Sequence, residues 1–87
     1  MSFAVEWTRR SRKELSNLDP QVARTLVHFM AERVHGCDDP RSLGKTLRES
    51  DLWRYRVGDY RILCLIEDDR LLVLVVELGH RRQVYRR

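Results

Sequence analysis

Residues 52–67 read LWRYRVGDYRILCLIE. Two runs, Leu52–Val57 and Tyr60–Glu67, flank the dipeptide Gly58-Asp59. Alternation of period two with β-branched and aromatic side chains marks strands. A two-residue connection that begins with Gly suits a type II′ hairpin turn. Tight pairing then sets Val57 opposite Tyr60 and Arg56 opposite Arg61. Like charges directly across a strand pair are destabilising, and Arg54 follows on the same face. One hairpin therefore raises both the question of fold and the question of what gathers three guanidinium groups.

Downstream, Asp68-Asp69 reads as a second turn, and Arg70–Leu78 (RLLVLVVEL) as an almost continuously apolar strand. Such a run suits a central strand buried on both faces. Upstream, Phe3–Trp7 (FAVEW) alternates and reads as a first strand. Thr8 can cap a helix running to about Asn17, whereas Ser11 and Glu14 have capping-box spacing and would start it a turn later. The polar face of this helix is basic, with Arg9, Arg10, Arg12 and Lys13, and Leu15 and Leu18 anchor it. Asp19-Pro20 starts a second helix: Asp accepts from orphan amides at the N-cap, and Pro fits the first helical position. Val22, Ala23, Leu26, Val27, Met30, Ala31 and Val34 recur at helical spacing, and Gly36 is the stop. That stripe is core, not a cofactor site. Cys37–Asp51 reads as a polar connection, and His80–Arg87 as a short basic tail after Gly79.

The order is β-α-α-β-β-β. It predicts one α+β domain over residues 1–87, with two N-terminal helices on one face of a mostly antiparallel four-stranded sheet. Placing the first strand beside the last makes the apolar run central. Trp53, Tyr55, Val57, Tyr60, Ile62 and Cys64 share one face; Arg54, Arg56, Arg61, Leu63 and Leu65 share the other. A two-residue turn at Asp68-Asp69 adds Val73 and Val75 to the first set, and Leu72, Leu74 and Val76 to the second. The helices belong on the aromatic face. The arginine face is then open, although a one-residue register slip would reverse the assignment.

The chain has 87 residues, 17 Lys and Arg against 13 Asp and Glu, and a formal net charge of +4. That balance permits an anionic partner without demonstrating one. Cys37 and Cys64 are far apart and match neither a disulfide framework nor a zinc site. Cys64 reads as a core residue and Cys37 as a free thiol. No signal-peptide pattern opens the sequence, and the longest apolar run, Leu71–Val76, cannot span a bilayer. A cytoplasmic protein with no membrane partner is expected. His28 and His35 read as surface residues of the second helix.

The tail should emerge near the Arg56–Arg61 pair, grouping Arg54, Arg56, Arg61 and Arg81 with Tyr85. This is either a solvated basic sheet edge or an anion site. RNA phosphate fits the second reading, because guanidinium groups fork onto phosphate oxygens and Tyr stacks on bases. Cleavage by a ribose 2′-hydroxyl needs a base, positive charge on the phosphorane, and an acid for the leaving oxygen. Arginine serves the second need and exchanges protons poorly at neutral pH. The proton carriers would be His80, an imidazole, or Tyr85. No acidic cluster has metal-ligand spacing, so metal-independent chemistry without a cofactor is expected.

The element order, the length and the run LWRYRVGDYRILCLIEDDRLLVLVVELGHRRQVYRR resemble the RelE family of the RelE/ParE toxin superfamily. The similarity covers essentially the whole chain and is strongest from Leu52 to Tyr85, where YR-I-L and GHRR-VY are specific in combination. The resemblance implies a toxin of a type II toxin–antitoxin module. Such toxins enter the A site of the 70S ribosome and cut the messenger RNA there, and a cognate RelB-like antitoxin neutralises them. By position, the family's paired basic residues fall on Arg54 and Arg56, where lysines are common and exchange protons more readily than arginine does. The next basic position falls on Arg61, the tail arginine on Arg81 and the catalytic tyrosine on Tyr85, with His80 as an additional candidate. Lys45, Arg48, Arg82, Arg9, Arg10, Arg12 and Lys13 are candidates for RNA or ribosome contact; the helix residues among them could equally form a solvated face. The competing readings are a ParE-like toxin that poisons DNA gyrase by binding, and a module without toxicity. Arg81 and Tyr85 favour the nuclease.

Overall fold

The hairpin forms as its turn chemistry dictates. Strands β3 (Trp53–Val57) and β4 (Tyr60–Glu67) pair antiparallel with Arg56 opposite Arg61 and Val57 opposite Tyr60. Gly58 takes φ +60°, the left-handed value that a residue with a Cβ adopts at a cost. Asp59 keeps a negative φ, which makes the turn type II′. The computed structural model describes residues 1–48 and 50–80.

The α+β architecture is as expected. Strand β1 (Ala4–Trp7) leads into α1 (Arg9–Ser16) and α2 (Pro20–Phe29). The last strand, β5 (Leu72–His80), lies between β1, to which it is parallel, and β4, to which it is antiparallel. Thr8 is the cap of α1: its Oγ1 accepts from the Ser11 amide at 3.1 Å. Glu14 closes no capping box. Its Oε1 accepts from the Leu78 amide at 2.9 Å, where β5 has run past the end of β1. A side chain thus replaces the missing strand partner.

Asp19 caps α2 through the Gln21 amide, with Pro20 in the first position. Beyond Phe29 the helix widens into a π turn, Met30–Val34, closed by the His35 amide on the Met30 carbonyl at 2.8 Å. Leu26, Met30 and Val34 are buried there against Tyr55, Ile62, Cys64, Val73 and Val75. Each such burial contributes roughly 1.5–3 kcal/mol, enough to outweigh the imperfect helix. Phe3 is tied to the helix exit by two backbone bonds, Phe3 amide to Cys37 carbonyl and Gly36 amide to Phe3 carbonyl.

Three expectations need correction. The sheet has five strands: β2 (Lys45–Thr46), within the segment read as a loop, pairs with β3 so that Lys45 faces Arg54. The turn after β4 is not two residues. Asp68–Arg70 forms a 3-10 turn and Leu71 takes φ +50°, so Glu67 pairs with Leu72. Moving the register by two keeps Val73 and Val75 on the helix face. The pairing then slips at Val76, because Cys64 faces Val75 while Leu63 faces Glu77. That bulge turns Leu78 and His80 onto the helix face as well. Among the described residues no helix is long and apolar enough to cross a membrane.

Candidate nucleic-acid interface

The face opposite the helices carries a row of charge that crosses the sheet. Lys45 on β2 pairs with Arg54 on β3, Arg56 stands two residues along, and Arg61 on β4 pairs with Arg56. Ser42, Leu43, Gly44, Lys45, Arg54 and Arg56 line a groove of about 270 Å³. Arg56 and Lys45 are exposed, Arg54 half-buried, and Arg61 only 5% exposed, with its Nη1 donating to the Tyr60 carbonyl at 3.3 Å. A guanidinium this buried is held in place before any ligand arrives.

The segment before β2 is braced from both sides. Asp39 accepts from the Arg41 amide at 3.2 Å, and the Tyr55 hydroxyl donates to the Pro40 carbonyl at 2.8 Å. Arg41 forks onto Asp68 with bonds of 2.7 and 2.9 Å. That fork lowers the Asp68 carboxyl below its ordinary value and raises Arg41. The Arg41 guanidinium also lies 6.0 Å from the Trp53 ring centre. Gly44 presses on β3 so closely that a Cβ there would collide with the Arg54 carbonyl and the rings of Trp53 and Tyr55. The Trp53 indole nitrogen is buried beneath this contact, without a hydrogen-bond partner among the described residues.

Farther across the same face, Glu77 is 6% exposed and ion-paired to Arg10 of α1 at 2.7 Å. Arg10 also reaches Glu14 at 3.4 Å. The face is thus less open than the alternation suggested, since Leu63 and Leu72 are buried on it too.

The candidates drawn from the sequence divide as follows. Lys45, Arg54, Arg56 and Arg61 come together. Arg10 joins the same face through Glu77, while Arg9, Arg12 and Lys13 stay exposed on α1. Arg48 is exposed in the turn after β2 and does not line the groove. His80 lies on the helix face, its ring 5.6 Å from that of Tyr60 in a T-shaped contact, because the bulge reverses the strand's parity. It therefore stands apart from the arginines, lining a cleft between α2 and the hairpin turn. Arg81, Arg82 and Tyr85 lie outside the described residues. His80, the last one described, pairs with Tyr60, one step beyond the Arg61–Gly79 pair. Glu77 and the Arg41–Asp68 fork escaped sequence reasoning. Glu77 carries no motif, and no spacing links residues 41 and 68.

Chemically, the groove offers fixed positive charge suited to a phosphate group. A family model described as the ParE toxin of type II toxin–antitoxin systems matches residues 5–85. The toxin RelG of Mycobacterium tuberculosis is 30% identical over the whole of both chains. The toxin–antitoxin complex RelBE2 of M. tuberculosis superposes with a TM-score of 0.83 at 28% identity, over 93% of this chain and 100% of that one. A mutant of Escherichia coli RelE in the free state superposes with a TM-score of 0.76 at 21% identity, covering 95% of this chain and 87% of that one. With its hairpin, its sheet order and its row of basic residues accounted for, the chain belongs to the ParE toxin family of type II toxin–antitoxin systems, as a RelE-like member.

Proposed function

We propose that this toxin is a metal-independent endoribonuclease that cuts messenger RNA in the ribosomal A site. The observation that carries the reading is the side-by-side placement of Lys45, Arg54, Arg56 and Arg61 on one sheet face. Like charges this close repel one another, and a bound phosphate would offset that repulsion. In the proposed reaction the ribose 2′-oxygen attacks the adjacent phosphorus, its proton passes to a base, and the 5′-oxygen leaves with a proton from an acid. Arg54, Arg56 and Arg61 would stabilise the dianionic phosphorane. Arg81 would add to that charge and Tyr85 would take part in proton transfer, roles suggested by their match to the family pattern. His80 is a weaker candidate because of its position on the other face. The proposed partners are the 70S ribosome, messenger RNA and a RelB-like antitoxin. The last follows the RelBE2 relative, whose structure is that of a toxin–antitoxin complex.

A second reading has one observation in its favour: the matching family model bears the ParE name. It would make the protein a binder that poisons DNA gyrase. Inducing the chain in cells and mapping RNA ends separates the two. The nuclease reading expects cuts within ribosome-occupied codons, lost with Arg81→Ala or Tyr85→Phe. Intact messenger RNA with induced DNA damage would replace it by the gyrase reading.

A further inference from the structure

Lys45 is exposed, pairs with Arg54 and lines the groove, yet it belongs to a strand of only two residues. So short a strand does not hold itself in place. What holds it is the braced segment before it, and one of the braces is the two-bond fork between Arg41 and Asp68. This fork joins that segment to the β4–β5 turn, 27 residues away in sequence. Both partners are solvent-accessible, 42% and 64% by side chain. Exposed ion pairs add little to global stability, so the fork's consequence is geometric.

We propose that Lys45 forms a second phosphate subsite beside Arg54 and Arg56, and that the Arg41–Asp68 fork is the positioning device that keeps it there. The subsite would take the phosphodiester adjoining the one gripped by the arginines, along a single RNA strand. This inference rests on the RNA-cleaving reading above. The pressed contact at Gly44 serves the same end, since any side chain there would lift Lys45 away from β3.

A distinctive consequence concerns Asp68. Removing its negative charge makes the protein more basic, so long-range electrostatics alone would tighten RNA binding. The positioning role requires the opposite.

The test uses the whole chain and a short single-stranded RNA with 2′-O-methyl sugars, which cannot be cleaved, titrated over a salt series. Lys45→Met should weaken binding by up to about fivefold, the range of an exposed charge contact. It should also flatten the salt slope by roughly 0.7, one single-strand phosphate contact. Asp68→Asn and Arg41→Lys should each weaken binding in the same direction, and neither should add to Lys45→Met when combined with it. Circular dichroism should show all variants folded. Tighter or unchanged binding by Asp68→Asn would overturn the positioning role. Unchanged binding by Lys45→Met, with Arg54→Ala still weakened, would overturn the subsite and leave the nuclease reading standing. If Arg54→Ala and Arg56→Ala also bind normally, the groove is not an RNA site and both fall.

Discussion

Arg10 of α1 places a guanidinium nitrogen 2.7 Å from a carboxylate oxygen of Glu77, which is 6% exposed on the face that carries Arg54, Arg56 and Arg61. A residue of the first helix is thereby fastened across the sheet edge. The asymmetry in burial sets what each removal does. Arg10 is more than half exposed, so losing Glu77 leaves a cation that water can solvate. Losing Arg10 strips a buried carboxylate of a charged partner. Arg10→Ala should therefore cost about 1–2 kcal/mol, read from urea denaturation midpoints at constant slope. An unchanged midpoint would show that the pair contributes nothing to the fold.

Arg56 stands directly opposite Arg61. If function rather than stability keeps both arginines, replacing the exposed one should relieve repulsion. Arg56→Thr should leave stability unchanged or raise it by roughly 0.2–1 kcal/mol, while toxicity on induction falls. The measurement is a thermal melt paired with colony counts. A variant that melts lower and stays toxic would contradict both halves.

The two thiols should differ sharply in reactivity. Cys64 is wholly buried, and burial pushes its thiol far above the ordinary range. Cys37 is partly exposed and its thiol is also raised, mainly by burial. Reaction comes from the thiolate and requires access. An Ellman titration should therefore find Cys37 labelled slowly in the native protein and Cys64 only after unfolding. Two equivalent fast thiols would contradict the buried core around Cys64.

Acid should loosen the segment before β2. The Arg41 fork lowers the Asp68 carboxyl below its ordinary value. A group whose value is lowered on folding contributes fully above its unfolded value, and the contribution is lost as pH falls through the folded one. The Arg41–Asp68 tether should thus be intact throughout the neutral range and fail only in strong acid. Carboxyl chemical shifts followed by NMR should give Asp68 a midpoint below that of a model aspartate. Arg41→Ala should move it back up, and no movement would sever Asp68 from Arg41.

Much of this molecule is legible in its sequence because the relevant physics is local. Gly58-Asp59 sets a type II′ turn, and that turn fixes the register that pairs Arg56 with Arg61. Thr8 and Asp19-Pro20 mark the helix starts through hydrogen bonds that span two or three residues. Period-two alternation sorts Tyr55, Ile62 and Cys64 into the core and Arg54, Arg56 and Arg61 away from it. Tertiary structure decided the rest. Strand β2 has no periodicity of its own; it exists because Tyr55 and Asp68, distant in sequence, hold the segment that leads to it. The left-handed Leu71 and the bulge at Val76 adjust β5 to its neighbours and so turn His80 away from the arginines. Glu77 became a buried ion-pair partner only when α1 closed over the edge of β5. Contacts between segments far apart along the chain leave no pattern in either segment alone.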